Sequence, residues 1–256
     1  MKISLNHMVA PRLDHGGFFD LTRRLGLLDV EIRNDLKGVA LTDGTPASDV
    51  GAAAKERGLT ILSINALQRF NIWDDTRVAE AAVMIDQCAA SGAQALVLCP
   101  VNDVNYAPSA AERREALLKA LNGLKPMLTA AGIRGFVEPL GFAECSLRYK
   151  EEAIEAIEAI GGADAFRVVH DTFHHHVAGE TKLFPRMTGL VEGLVDDADP
   201  FLDREQRCLA GIGEHRHDHA VEHGRRPGHD VEMAVRDRVE RARIDRDGVH
   251  RSSWRR

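Results

Sequence analysis

Short apolar runs alternate with longer amphipathic stretches along the first two thirds of the chain. The apolar runs are Lys2–Met8, Leu27–Ile32, Leu59–Leu67, Ala95–Cys99, Ile133–Val137 and Phe166–Val169. Their length and aliphatic content suit strands buried on both faces. The intervening stretches read as helices. Gly16–Leu27 carries Phe19, Leu21 and Leu25 at helical spacing. Pro46–Gly58 has Thr45 as a cap, Pro46 at the first helical position and Gly58 as a stop. Asp74–Gly92 is Ala-rich, and Ser109–Gly132 opens on the capping-box pattern SAAE. Tyr149–Ile160 is stopped by Gly161 and Gly162. Six strands alternating with these helices of crossover length predict a parallel sheet.

The strand starts are plain, whereas the strand ends are polar. The ends carry Asn6 and His7, then Glu31 with Arg33, Asn34 and Asp35, then Asn65, PVND (Pro100–Asp103), EPLGF (Glu138–Phe142) and Asp171. In a closed barrel those ends line the C-terminal face, where active sites are built. A (β/α)8 TIM barrel is therefore the expected fold, and 256 residues is a typical length for one. An open doubly wound sheet is the competing arrangement. No G-x-G-x-x-G follows the first strand, which argues against a dinucleotide-binding version of it.

Composition narrows the picture. Hydrophobic residues make up 44% and aromatics only 5%, so the core is built from Ala, Leu, Val and Ile. The formal charge of −6 gives no basic footprint for nucleic acid. Cys88, Cys99, Cys145 and Cys208 form no CxxC pair, so reduced thiols and a cytoplasmic location are expected. No run of ~18 apolar residues occurs and MKISLNHMV lacks an apolar signal core, so no membrane partner is expected.

The candidate chemistry centres on AFRVVHDTFHHH (Ala165–His176). Asp171 and His174, three apart, could face one cation across a tight turn. The alternative is a helix start, with Asp171 or Thr172 as its cap. Glu138 follows the fifth strand as Asp171 follows the sixth, and neighbouring strands lie about 5 Å apart. Two carboxylates there repel unless a cation or a proton sits between them, so a divalent metal is the economical reading. The alternative for Glu138 is a cap on the following turn. His174 could be a ligand, or a donor to Asp171 or to a substrate oxygen. His175 and His176 read as solvated or packing residues. Arg33, Asn34 and Asn65 are candidates for binding substrate hydroxyls, with loop hydrogen bonding as the alternative. Cys99 and Cys145 have no base near them in sequence and read as small buried apolar residues.

The pattern breaks near Gly189. Thr188–Val191 begins another apolar strand, which Glu192 does not continue. No lysine occurs after Lys182, and half of the 26 arginines lie from Arg204 onward. The chain thus divides into a barrel portion, residues 1–191, and an atypical Arg/His/Asp-rich segment, residues 192–256. That segment reads as a charged extension, as a stretch with a helix over Val231–Ile244, or as the product of a coding-frame shift near residue 192. Its histidines, His215, His217, His219 and His223, read as solvated rather than as a metal tract.

NHMV (Asn6–Val9), VEIRND (Val30–Asp35), EPLGF, CSLRYK (Cys145–Lys150) and VHDTFHH (Val169–His175) together resemble the xylose-isomerase-like TIM-barrel superfamily. Within it they most resemble bacterial 2-keto-myo-inositol (inosose) isomerases. The resemblance covers about residues 1–191. It implies a barrel with one divalent ion, Mn²⁺, Mg²⁺, Co²⁺ or Zn²⁺, at the C-terminal face. Glu138 and Asp171 match two of the family's four ligands, with Glu138 also the catalytic candidate, and His174 matches a group that supports the site or the substrate. Glu192 stands where the family's strand-seven histidine is expected, and the strand-eight glutamate has no counterpart. The implied activity, in inositol catabolism, is isomerisation of a cyclic polyol ketone by enediolate proton transfer, with no organic cofactor. Another sugar isomerase, an epimerase or a hydroxypyruvate isomerase is the alternative within the superfamily. A chain lacking its last units would instead be an inactive, incomplete barrel, whose open edges a homo-oligomer could cover.

Overall fold

The computed structural model describes residues 3–38, 41 and 43–181 of the chain. Six parallel strands lie side by side in chain order: β1 (Ser4–Asn6), β2 (Asp29–Arg33), β3 (Thr60–Gln68), β4 (Ala95–Cys99), β5 (Arg134–Val137) and β6 (Phe166–Val168). A helix follows each strand: α1 (His15–Arg24), α2 (Ala47–Glu56), α3 (Asp75–Ser91), α4 (Ala110–Ala131), α5 (Lys150–Ala159) and α6 (Thr172–Ala178). Every pairing is parallel, as the alternation in the sequence requires. Residues 182–256 lie outside the described residues, and with them the expectations for Thr188–Val191, Glu192, Cys208, the tail histidines and a helix over Val231–Ile244.

Local chemistry sets the element ends. Asp14 accepts the Gly17 N–H at 2.7 Å, so α1 opens at His15, and Gly26 at φ 73° ends the turn that follows it. That holds Leu27 and Leu28 out of the strand, and β2 starts at Asp29 and ends at Arg33 rather than running from Leu27 to Ile32. The expected cap at Thr45 is replaced. Pro46 occupies the cap position with no side-chain bond, and the Thr45 N–H instead donates to Asp43. Ser109 and Glu112 close the expected capping box on α4.

Strand alternation sorts the side chains into two layers. Val30, Ile32, Ile64, Leu96, Leu98, Val137 and Phe166 join Phe18, Phe19, Leu121, Leu124 and Leu128 in the main core between sheet and helices. The opposite face carries a much smaller apolar cluster of Ala66, Val97 and Cys99, with Phe136 packed against it. Glu31, Arg33, Ser63 and Asn65 alternate with main-core residues or share this second face. The polar ends of the strands therefore meet over a face that has little apolar packing of its own.

Candidate metal centre

The register brings the ends of β4, β5 and β6 level. The Glu138 N–H donates to Leu98 O at 3.1 Å and the Val169 N–H to Val137 O at 2.8 Å. The chain then leaves β6 and turns into α6, with Asp171 as its N-cap in extended backbone. One Asp171 oxygen, Oδ1, accepts the His174 N–H at 3.0 Å. Capping occupies that oxygen and leaves the other for a second partner. Glu138, Asp171 and His174 then each present a potential ligand atom, all within 4.8 Å of one another. The side-chain Nδ1 of His174 is buried with no hydrogen-bond partner among the described residues. Two carboxylates and an imidazole converging in this way form a donor set that fits a divalent ion.

Neighbouring groups tune Glu138. The Cys99 thiol lies 3.3 Å from its Oε2 and is the donor, since burial pushes the thiol pKa up and keeps it protonated. Cys99 is thus buried as expected, but it also bonds a candidate ligand. Burial raises the Glu138 pKa above the ordinary carboxylate value, and the charges of Asp171 and Glu31 raise it further against the lowering by Cys99. Two like charges near a buried carboxylate favour its proton until a cation arrives. His170, directly before Asp171, is pushed down to about 4, by burial first and then by Lys150 and His175. It is therefore neutral near pH 7.

The remaining candidates gather around the ends of β2 and β3. Arg33 pairs with Asp35 at 2.8 and 2.5 Å, and its charge acts on Glu31 and Glu138. The Asn34 amide bonds both backbone groups of Ala66, accepting the N–H at 2.7 Å and donating to the carbonyl at 3.3 Å. Asn65 donates to Glu31 at 3.3 Å. All three hold protein partners, and none belongs to the Glu138–Asp171–His174 group.

Glu31 is the residue that sequence reasoning left among the polar burst. Its carboxylate accepts from Asn6, from Ser63 at 2.6 Å and from Asn65, tying β1, β2 and β3 together beside the site. Burial raises its pKa, and the Asp171 charge adds to that. The signal was present in the alternation: Val30 and Ile32 face the core, so Glu31 is a charge aimed into the sheet's other face.

The fold is a parallel β/α array whose Glu138 and Asp171 carboxylates gather beyond the strand ends beside the His174 imidazole of α6, the place that TIM barrels call their C-terminal face. The family described as "Xylose isomerase-like TIM barrel" matches residues 19–229, and the chain belongs to that family. Among solved structures it is similar to a xylose isomerase domain containing protein from Salmonella typhimurium LT2. That protein is 35% identical, with 72% of this chain and 66% of that one covered and a TM-score of 0.65. It is also similar to the IolI protein with a bound zinc atom, at 21% identity, 70% and 66% coverage and a TM-score of 0.64. D-psicose 3-epimerase from Clostridium cellulolyticum H10 shares the fold at 15% identity, 71% and 67% coverage and a TM-score of 0.61. The chain spans 66% of the length of the first two. No curated protein matches it significantly. Among the described residues no helix is long and apolar enough to cross a membrane.

Proposed function

We propose that this chain is a divalent-metal-dependent isomerase of a cyclic polyol ketone of the 2-keto-myo-inositol type. The observation that carries the reading is the convergence of Glu138, Asp171 and His174 within 4.8 Å. Glu138 and Asp171 would hold the ion, with His174 as a third ligand or as the group that bonds a substrate oxygen. A bound divalent ion there supplies Lewis acidity to a substrate carbonyl and the hydroxyl beside it.

The protein's own groups do the rest. Glu138 is the base that moves a proton between adjacent substrate carbons. Cys99 fixes its Oε2, which leaves Oε1 for the reaction, and burial raises its basicity toward that of a useful acid–base group. The His174 Nδ1 offers a buried hydrogen-bonding atom to a substrate oxygen. Arg33, Asn34 and Asn65 shape the rim on the β2–β3 side, where sugar hydroxyls would lie. The substrate is a small polyol or sugar.

A second reading keeps the chemistry and changes the substrate to a ketose, as an epimerase. The likeness to D-psicose 3-epimerase and to L-ribulose 3-epimerase favours it. The test begins with the purified chain. About one divalent ion per chain, a melting temperature lowered by EDTA, and turnover of inosose lost in Glu138→Gln support the first reading. Turnover of ketoses but not of inosose supports the second. No bound metal together with no response to EDTA overturns both.

A further inference from the structure

We infer that Lys150, His175 and Glu180 form a buried clamp that positions α6, and through it Asp171 and His174, against Glu138. The need for such a device follows from length. α6 has seven residues, and isolated helices below about 12–15 residues are marginal in water. Its placement must come from what it packs against.

The clamp joins the start of α5 to both ends of the last turn of α6. Lys150, the first residue of α5, is 4% exposed. Its Nζ pairs with Glu180 Oε2 and lies 2.7 Å from His175 Nδ1. Its backbone N–H donates to Glu180 Oε1 at 3.2 Å. An ammonium has only protons to give, so His175 Nδ1 accepts and the ring proton sits on Nε2. The 3.2 Å approach of that Nδ1 to Glu180 is then two acceptors drawn together by one donor. Gly179, at φ 70°, turns the chain so that Glu180 can reach back.

A second set of bonds works in the same direction. Arg148 Nε donates to Gly141 O at 3.0 Å, and its Nη2 reaches Ala178 O at 3.5 Å. Gly141 lies directly against the His174 carbonyl, where an added Cβ would stand 2.1 Å from the oxygen. The loop that begins with Glu138 is thus bolted to the helix that ends the Asp171 turn. The bolt uses Gly141 of EPLGF and Arg148 of CSLRYK, which the proposed reaction leaves without a task.

Energetics separate positioning from simple stabilisation. A buried ion pair replaced by apolar groups of similar volume is often neutral or stabilising. The directional bonds of Lys150 instead fix how α6 is turned. The existence of the clamp does not depend on the metal reading, but the purpose given to it rests on that reading.

The test replaces the pair by apolar groups, Lys150→Met with Glu180→Leu, and uses Glu180→Gln as a milder second variant. Hydrogen–deuterium exchange is followed for amides of residues 172–178 and of β4, and zinc affinity is measured with zinc sulfate against a chromogenic chelator. The expected result is a urea midpoint close to the parent's, α6 exchange about tenfold faster or more, unchanged β4 exchange, and about tenfold weaker zinc binding. Should the double variant fail to fold, faster α6 exchange with unchanged β4 in Glu180→Gln supports the clamp. Unchanged α6 exchange in a folded variant overturns it. A parent that takes no zinc overturns the metal reading, and the exchange data still decide the clamp.

Discussion

The Asp171 carboxylate accepts the His174 backbone N–H at 3.0 Å, so one residue both starts the helix and faces the group its helix carries. Asn caps a helix about as well as Asp, whereas Ala costs about 1 kcal/mol. Asp171→Asn is therefore expected to melt near the parent and to lose zinc binding. Asp171→Ala is expected to lose both zinc binding and stability. Thermal melts with and without zinc distinguish them, and zinc binding by Asp171→Asn at parental affinity would remove Asp171 from the site.

Gly141 sits at φ 73° with the His174 carbonyl in the space a side chain would need. Left-handed backbone costs a residue with a Cβ roughly 1–2 kcal/mol, and overpacking adds about 1–3 kcal/mol. Gly141→Ala is expected to lose about 3 kcal/mol in urea unfolding. Since the clash is with the helix that carries His174, zinc affinity should fall with it. A midpoint unchanged from the parent would show that the loop yields easily.

The Cys99 thiol donates to Glu138 Oε2 at 3.3 Å. Partners that orient a metal ligand typically contribute 10–100-fold to affinity. Cys99→Ala is expected to weaken zinc binding about tenfold, and Cys99→Ser, which keeps a donor, to stay close to the parent. Equal affinities for parent and Cys99→Ala would leave the thiol as packing alone.

His7 is buried, stacked on Phe18 at 4.3 Å and bonded through Nε2 to Leu13 O. Burial lowers its pKa below the unfolded value of 6.5. A depressed imidazole contributes stability above the unfolded pKa and loses it as pH falls through the folded one. Stability should therefore decline as pH drops below about 6.5, and His7→Phe should flatten that part of the profile. Urea midpoints across pH 7.5 to 5 check it. An identical slope in the variant would place the pH dependence elsewhere.

Much of this architecture was legible because periodicity is a local property. The six strands and their helices follow from alternating apolar runs, and Ser109 with Glu112 announced their cap before any geometry was known. Glu138 and Asp171 could be picked out as candidates from the strand pattern, since Glu138 directly follows β5 and Asp171 follows β6 after Val169 and His170. What escaped was long-range. The alternation around Glu31 shows which face it takes, but not that Asn6 and Ser63 come from other strands to meet it. Lys150 and His175 are separated by a whole helix and strand, and only folding brings them within 2.7 Å. Asn34 and Asn65 read as groups for substrate hydroxyls or for loop hydrogen bonds, and the fold supplies partners of the second kind, Ala66 for Asn34 and Glu31 for Asn65, which the sequence could not name.

The strands are paired in the order in which they are synthesised, β1 through β6. Each new strand can therefore dock on the edge its predecessor has just left open. Glu138, Asp171 and His174 all come from the stretch that runs from the end of β5 into α6. The three groups thus lie on one continuous stretch of chain, and an ion bound there would link the end of β5 to the start of α6 across the width of β6.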